Sequence, residues 1–369
     1  MKLKELTSYI DTFAPLAFQE NYDNSGLQIG NPDAEIKSAL LTLDVTNDVV
    51  DEAIGNKCDV IISHHPVIFS GIKKITGENV TEKIAIKAIK NDIAIYSAHT
   101  NLDNFEQGVS RKMAEKLNLN NLRVLLPLKG KLLKLVTFIP EKAYDNVSNA
   151  IFDAGAGVIG SYDQCSFAGH GTGSFRGGET SNPYVGEKGK IHFEKELRFE
   201  TILYAHLKNK VIKALIDSHP YEEVAYDLYP LENDNTRHGT GCVGELSEPV
   251  PEYEFLKTVS EIFEANGLRY SALRGKNVKR VAVCGGSGGR FINSAIICNA
   301  DVYITSEIKY HDFLDVDDKI LLIDAGHYET EKFSTEIICD LIIKKFPKFA
   351  VRFSKTNLNP INYFYNGKK

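Results

Sequence analysis

The sequence predicts an α/β domain that is split in two by an inserted α+β domain. Short apolar runs alternate with helical patterns in residues 1–127 and again in residues 236–369, which is typical of βαβ units around a parallel sheet. Residues 128–235 contain two β-α-β patterns in tandem, which fits a ferredoxin-like α+β domain. The length of 369 residues allows two or three domains. We therefore expect residues 1–127 and 236–369 to be the two halves of one domain, with residues 128–235 inserted between them.

The first half begins its alternation with a strand at residues 39–44 (ALLTLD) and a helix at residues 46–56, which Thr46 or Asn47 caps. The next strand runs into CDVIISHH at residues 58–65, and residues 81–91 are helical. IAIYSAHTNLD at residues 93–103 combines a strand with its exit loop, and residues 104–119 are helical.

The second half repeats this rhythm, with predicted strands at residues 277–286, 301–306, 320–327 and 350–354 and helices between them. The last of these strands is expected to close the same sheet. In the insert, strands are predicted at residues 132–140, 158–167, 199–207 and 221–231, with helices at residues 141–155 and 208–220. The glycine-rich stretch at residues 169–190 is expected to be a loop.

Composition and charge exclude several classes of protein. No run of about 18 apolar residues is present and the N-terminus does not resemble a signal peptide, so we expect neither a membrane span nor export. The net charge of −6 provides no global basic field for nucleic acid. Six cysteines occur without a CxxC pair, which favours small buried side chains in a reducing compartment. The expected location is the cytoplasm.

Titratable residues are concentrated where the predicted strands end. Ligands of parallel α/β sheets bind beyond the carboxyl ends of the strands. Three predicted strand exits, in halves more than two hundred residues apart, provide His64, His65, His99, Asp103, His327 and Glu331. Because they follow strands of one expected sheet, we predict that these side chains meet.

These residue types suit a pair of metal ions. His327 and Glu331 are four residues apart, which places them on one face of a helix. His64 and His65 follow a strand, and Pro66 holds His65 in an extended conformation, so the two rings can diverge toward two ions. Histidine and carboxylate ligands suit Zn²⁺, Fe²⁺ or Mn²⁺. The alternative is that these histidines are ordinary core or surface residues.

Other residues are candidates for supporting or catalytic roles. His99 is expected either to hydrogen-bond a ligand or to act as a general acid–base. Glu307 and His311 form another i, i+4 pair that could transfer protons, and the alternative for them is a structural ion pair or a cap. Asp44 is a candidate to support a ligand from outside the metal shell, whereas Glu329 is expected to face solvent. Glycines 285, 286, 288 and 289 form either an anion-binding nest or a tight turn.

Several motifs together resemble the Nif-three-like dinuclear metal centre family, whose members are often labelled GTP cyclohydrolase I type 2 homologues. The motifs are YDNSGLQIG, SHHPVIF, YSAHTNLD, SHPYEEVAYDLYPL, CGGSGG and AGHYETE, at residues 22–30, 63–69, 96–103, 218–231, 284–289 and 325–331. They extend over almost the whole chain and include the insert of the family's long form.

The resemblance implies a Nif-three-like α/β metal-binding domain, an inserted PII/CutA-like domain and a toroidal homohexamer with trimer contacts through the insert. It implies two divalent ions per chain, zinc first and iron or manganese as alternatives. Its ligands correspond to His64, His65, Asp103, His327 and Glu331. The expected activity is hydrolysis, with opening of a purine nucleotide such as GTP named first and a phosphoester or amide as alternatives, and His99, Glu307 or His311 moving protons. The rival hypothesis is a hexameric regulatory or chaperone-like metal-binding assembly without turnover.

Overall fold

The computed structural model describes residues 1–356 and 359–364, and its fold is a mixed α/β fold with several sheets. The chain divides into two compact units: Met1–Pro127 together with Arg237–Lys369, and Leu128–Thr236. We call them the divided unit and the inserted unit. Among the described residues, no helix combines the length and the apolar composition that crossing a bilayer requires.

The divided unit contains two sheets rather than the single sheet expected from the sequence. Its elements in the first part of the chain are α1 (Leu3–Phe13), β1 (Gly26–Ile29), β2 (Ser38–Thr42), α2 (Asn47–Gly55), β3 (Val60–Ser63), α3 (Val80–Lys90), β4 (Ala94–Ser97), α4 (Thr100–Asp103), α5 (Val109–Lys116) and β5 (Asn120–Leu128). The elements of the inserted unit are β6 (Leu132–Pro140), α6 (Tyr144–Asp153), β7 (Ser166–Arg176), β8 (Ile191–Tyr204), α7 (Lys208–Ser218) and β9 (Tyr226–Pro230). The last part of the divided unit contains β10 (Asn235–Pro251), α8 (Glu252–Phe263), β11 (Arg269–Tyr270), β12 (Asn277–Ser287), α9 (Ile292–Ile297), β13 (Val302–Ser306), α10 (Tyr310–Asp315), β14 (Leu321–Asp324), α11 (His327–Glu331), α12 (Ser334–Lys345) and β15 (Ala350–Phe353).

The first sheet has the strand order β1-β4-β3-β2-β15 and the second has the order β11-β14-β13-β12-β10-β5. The last strand was expected to close the single sheet of both halves; β15 instead lies at the edge of the first sheet, where it pairs in parallel with β2. Backbone pairing alone decides this, since an apolar strand such as AVRF can join either sheet without a change in its hydrophobic pattern.

Alternating side chains of the parallel strands pack into different clusters. Val60 and Ile62 of β3 enter the central cluster, as do Val302 and Ile304 of β13. Ile61 of β3 faces a second cluster with residues of α2 and α3. Both faces of these strands are therefore buried, which explains their continuous apolar runs and leaves the strand ends as the places where polar side chains can cluster.

The inserted unit is a four-stranded antiparallel sheet of order β7-β8-β6-β9 with α6 and α7, in the βαββαβ sequence of a ferredoxin-like unit. Its own core includes Leu135, Ile151 and Phe199. The glycine-rich stretch differs from expectation, because its first eight residues, 169–176, belong to β7 rather than to a loop. Pairing with β8 from Ser166 to Arg176 outweighs the weak strand preference of glycine.

Candidate metal centre

Two parallel strands of the first sheet deliver histidines to the same edge. β3 and β4 pair in register, with Ser63 opposite Ser97, so the residues that follow them emerge side by side. His64 and His65 follow β3, and His99 follows β4 and precedes α4. The ring centroids of His64 and His65 lie 5.3 and 5.4 Å from that of His99. The strand exits therefore converge as the sequence predicts.

The adjacent histidines diverge because different groups hold their rings. His64 is fully buried, and its Nδ1 donates to the carbonyl of Ala98 at 2.7 Å. His65 Nδ1 donates to the Asp44 carboxylate at 2.8 Å. Each Nδ1 contact fixes the ring, so both Nε2 atoms point toward the same carboxylate, that of Glu331, at 3.9 Å from His64 and 2.8 Å from His65. Asp44 thus supports His65 as expected.

Glu331 comes from the other half of the sequence and lies at the middle of the cluster. Its carboxylate is almost fully buried, and its Oε2 also lies 2.8 Å from His327 Nε2, one helical turn away in α11. The backbone of Gly286 makes room for it: with φ of +61°, an added Cβ there would overlap Glu331 Oε1 and lie 3.5 Å from His327 Cε1. Glycine is therefore needed both for the backbone conformation and for the space.

Asp103 completes the cluster at the end of α4. Its Oδ1 lies 3.5 Å from His64 Nε2. In the part of the chain that the structure describes, these two buried atoms have no hydrogen-bond partner. Buried polar atoms are nearly always paired in folded proteins, so an unpaired nitrogen facing an unpaired oxygen fits a pair of atoms that share a cation.

Three overlapping sets of side chains could hold a metal ion, because their ligand atoms lie within 4.8 Å of one another. The sets are His65, His327 and Glu331; His64, Asp103 and Glu331; and His64, His65 and His99. The first two sets share Glu331 and contain the five residues to which the resemblance assigns metal binding. Imidazole with carboxylate is a donor set of the kind that transition metals prefer, so the residues present fit such an ion.

The protonation of the centre is set by burial and by contacts between its imidazoles and carboxylates. Burial lowers the pKa of His64 to about 3, so that ring is neutral at pH 7. Burial also opposes protonation of His65 and His327, but their hydrogen bonds to carboxylates outweigh it and raise the pKa to about 10 for His65 and about 9 for His327.

The two carboxylates of the centre shift in opposite directions. Burial and the neighbouring Glu331 charge raise the pKa of Asp103 well above its usual value. Burial also disfavours the Glu331 anion, but the hydrogen bonds from His327 and His65 outweigh it and hold the pKa of Glu331 well below its usual value. In the metal-free protein, bound protons therefore balance the carboxylate charge that a bound cation would otherwise balance.

A buried carboxylate behind His99 was not singled out from the sequence. Asp23 accepts hydrogen bonds from His99 Nδ1 at 2.7 Å, from the Thr100 backbone at 3.0 Å and from the Ser25 hydroxyl at 2.9 Å, and its side chain is fully buried. Burial opposes its ionisation, but the hydrogen bonds from His99 and Thr100 lower its pKa far below the usual range. The available signal was the Asp in YDNSG, although no spacing connects residue 23 with residue 99.

The remaining candidates divide into those at the cluster and those away from it. Glu307, at φ of +55°, accepts a hydrogen bond from His327 Nδ1 at 2.9 Å and so orients that ring. His311 is exposed, and its ring contacts that of Tyr310. The expectation that Glu329 faces solvent was wrong: it is 3% exposed and accepts a hydrogen bond from Asn359 Nδ2 at 2.9 Å, because α11 turns that face inward.

The fold and the cluster define an α/β protein with a histidine–carboxylate site that could hold metal ions. A family model described as Duf34/NIF3 (NGG1p interacting factor 3) matches residues 1–360, and the chain belongs to this family. The resemblance drawn from the motifs is thereby confirmed. Among its relatives, the Bacillus subtilis protein named GTP cyclohydrolase 1 type 2 homolog is 37% identical over 369 residues, covering 98% of each chain. The Halalkalibacterium halodurans protein of the same name is 40% identical over 319 residues, covering 86% of each.

Solved structures agree with this assignment. The structure of a Bacillus cereus protein related to NIF3 superposes with a TM-score of 0.85 at 37% identity and covers 99% of both chains. A Staphylococcus aureus protein superposes with a TM-score of 0.78 at 27% identity, again over 99% of both chains.

Proposed function

We propose that this protein is a dinuclear metal-dependent hydrolase that opens the ring of a purine nucleotide, in keeping with its relatives' name, GTP cyclohydrolase 1 type 2 homolog. The observation that carries the proposal is the carboxylate of Glu331, which one ring nitrogen of each of three histidines approaches to within 4 Å. Such crowding of nitrogen donors around one oxygen is the arrangement that a metal pair requires and that a structural hydrogen bond does not.

The two ligand sets that share Glu331 support our proposal of two ions per chain. We assign one ion to His65 and His327 and the other to His64 and Asp103, with Glu331 common to both. The nitrogen-rich donor set makes zinc the first choice, with iron or manganese as alternatives. Divalent ions held there supply Lewis acidity, which lowers the pKa of water and polarises an electrophilic carbon or phosphorus centre.

The protein's own proton acceptor is, in our proposal, His99. Its Nδ1 is committed to Asp23, which fixes the tautomer and leaves Nε2 as the nitrogen that can take a proton. The aspartate also stabilises the imidazolium that results, in the way that a buried carboxylate supports a catalytic histidine elsewhere. For Glu307 the contact with His327 supports an orienting role, and proton transfer by Glu307 or His311 stays a prediction.

The assembly that we propose is a homohexamer with trimer contacts through the inserted unit, which we take to be PII/CutA-like. Two features of that unit support such contacts. β7 pairs with β8 along one side and lies at the edge of its sheet. Phe167, Ile191 and Phe193 on these two strands are 65 to 71% exposed, and exposed apolar side chains on an edge hairpin favour association with other chains. Sedimentation equilibrium measures the stoichiometry directly.

A second candidate function is a regulatory metal-binding assembly without turnover. It is favoured by a cavity of about 670 Å³ in the inserted unit, whose walls include Phe138, Phe175 and Tyr221. A cavity of this size can take a small effector. The two functions differ in whether the metal-loaded protein turns over any substrate.

Metal analysis combined with a substrate screen tests the proposal. Purified protein is expected to contain about two metal equivalents per chain and to hydrolyse GTP, with phosphoesters and amides as comparison substrates. His65→Ala should lose metal and activity together, whereas His170→Ala is the matched control because that histidine is exposed in the inserted unit. Full activity in a metal-free preparation would contradict the proposal.

A further inference from the structure

An aromatic surface borders the candidate metal centre. Tyr22 and Phe69 are 52 and 50% exposed, and their ring centroids lie 6.2 Å apart. The Phe69 ring centroid is 6.3 Å from that of His99. A flat ring inserted between Tyr22 and Phe69 would need about 7 Å, twice the optimal separation of two carbon atoms. The two rings, tilted by 39° to each other, therefore form an angled aromatic surface rather than a clamp.

Hydrogen bonds hold this surface in place. Asn24 Nδ2 donates to the carbonyl of Ile68 at 2.5 Å, and the Ile68 backbone N–H donates to Gln28 Oε1 at 2.9 Å. These contacts join the segment that carries Tyr22 to the segment that carries Phe69. The next residue after Tyr22 is Asp23, which is anchored to His99. A surface fixed in this way loses little conformational entropy when a ligand binds.

A guanidinium lies over the Tyr22 ring of the aromatic surface. Arg290 Cζ is 5.8 Å from the Tyr22 ring centroid, and the arginine side chain is 52% exposed. Its Nη2 forms an ion pair with Glu20 Oε1 at 3.4 Å and lies 3.5 Å from Tyr22 Oη, so these contacts use only one of its nitrogens. A guanidinium has five N–H donors, so Arg290 keeps the capacity to bind an anion.

We propose that Tyr22, Phe69 and Arg290 are the substrate-recognition residues of this centre, and that they bind a flat heteroaromatic ring bearing phosphate groups. The ring stacks on Tyr22 and Phe69, and the phosphate pairs with the Arg290 guanidinium, which matches phosphate oxygens in geometry and charge. Because Phe69 adjoins His99, the ring end of the ligand lies toward His99 and the phosphate end lies toward Arg290. The inference rests on the proposed function and names the groups that select its substrate.

Binding measurements on the zinc-loaded full chain test this without requiring turnover. The probes are GTP, guanosine, which has the base and ribose without phosphate, and inorganic triphosphate, which has the anion alone. Retained zinc is measured after each titration. Phe69→Ala and Tyr22→Ala should each weaken the binding of GTP and guanosine by about 5- to 150-fold, which is the range for losing one base stack. The binding of triphosphate should be unchanged. Arg290→Gln should weaken the binding of GTP and triphosphate and leave the binding of guanosine unchanged.

Conservative and distant variants serve as controls. Tyr22→Phe keeps the ring, so it should lose less affinity for GTP and guanosine than Tyr22→Ala does. Tyr253→Ala removes a tyrosine that is 58% exposed on α8, and Arg111→Gln removes an arginine paired with Glu115 on α5; neither should alter binding. Thermal melts of the variants check that each is folded, and Phe69→Leu replaces Phe69→Ala should the latter unfold.

The outcomes separate this inference from the proposed function. Suppose that the variants lose affinity for the ring probe or the phosphate probe as expected, but the wild type turns over no substrate. That result would support the recognition role of the three residues and contradict the proposed hydrolase activity. Turnover of GTP that the three substitutions leave unchanged would overturn the recognition residues and retain the hydrolase. Failure of the zinc-loaded wild type to bind GTP or guanosine, or equal losses for all three probes, would also overturn the inference.

Discussion

Replacement of Gly286 by alanine is the sharpest test of the cluster around Glu331. At φ of +61° a side chain is strained, at a cost of roughly 1–2 kcal/mol for an L-residue in the left-handed region. The new Cβ would also overlap Glu331 Oε1 and lie 2.8 Å from its Cδ, so the carboxylate must move out of its position between His65 and His327. We expect metal affinity to fall by more than the roughly 10- to 100-fold typical of losing a group that only supports a ligand.

A second glycine provides a matched control for the backbone strain. Gly275 has φ of +69°, and a Cβ added there meets nothing within 4 Å. Gly275→Ala should therefore destabilise the protein by about the same 1–2 kcal/mol and leave metal binding intact. Urea denaturation of the chelator-treated proteins measures the first effect, and competition with a chromophoric chelator measures the second. Equal metal affinities for the two variants would refute the placement of Glu331 at the middle of the centre.

Two further predictions concern protons. The raised pKa values of His65, about 10, and His327, about 9, mean that both rings are protonated at pH 7 without metal, so metal binding should release protons and strengthen as the pH rises toward 9. The same shifts stabilise the metal-free protein below pH 6.5, and this stability should be lost as the pH rises through 9 and 10. Calorimetry in buffers of different ionisation enthalpy measures the proton release on metal binding. Thermal melts at different pH values measure the change in stability. Asp23→Asn should lower kcat by about 10²- to 10⁴-fold with metal content unchanged, since an amide no longer stabilises a protonated His99. Equal loss of metal in Asp23→Asn would assign that carboxylate to metal binding instead.

Local spacing explains why the candidate ligands could be predicted to converge. His64 and His65 follow an apolar run that the structure shows as β3, and the i, i+4 spacing of His327 and Glu331 places both side chains toward the centre. These relationships depend on the periods of strands and helices, which a sequence displays directly. Asp44 was identified for the same reason, since it follows β2, whose Leu40 and Leu41 pair with Ile61 and Ile62 of β3.

Relationships that depend on distant contacts could not be read in this way. The Gly286 backbone makes room for Glu331, which is 45 residues further along the chain. Asp23 accepts a hydrogen bond from Thr100, which is 77 residues further along. The burial of Glu329 and the pairing of β15 with the first sheet were missed because neither leaves a periodic signal. In β7, glycine composition indicated a loop, but pairing with β8 decided the conformation.

The sequence by itself determined which side chains emerge at the strand ends and that their chemistry suits transition metals, because strand length, helix period and ligand type are local properties. Only the tertiary structure decided that the divided unit contains two sheets, each of which includes a strand from the other half of the sequence. It also decided that one buried carboxylate lies among three imidazoles, and that Phe69, Tyr22 and Arg290 contact one another in series beside them. Those arrangements arise because segments far apart in the chain pack together. Such packing leaves no periodic pattern in the sequence.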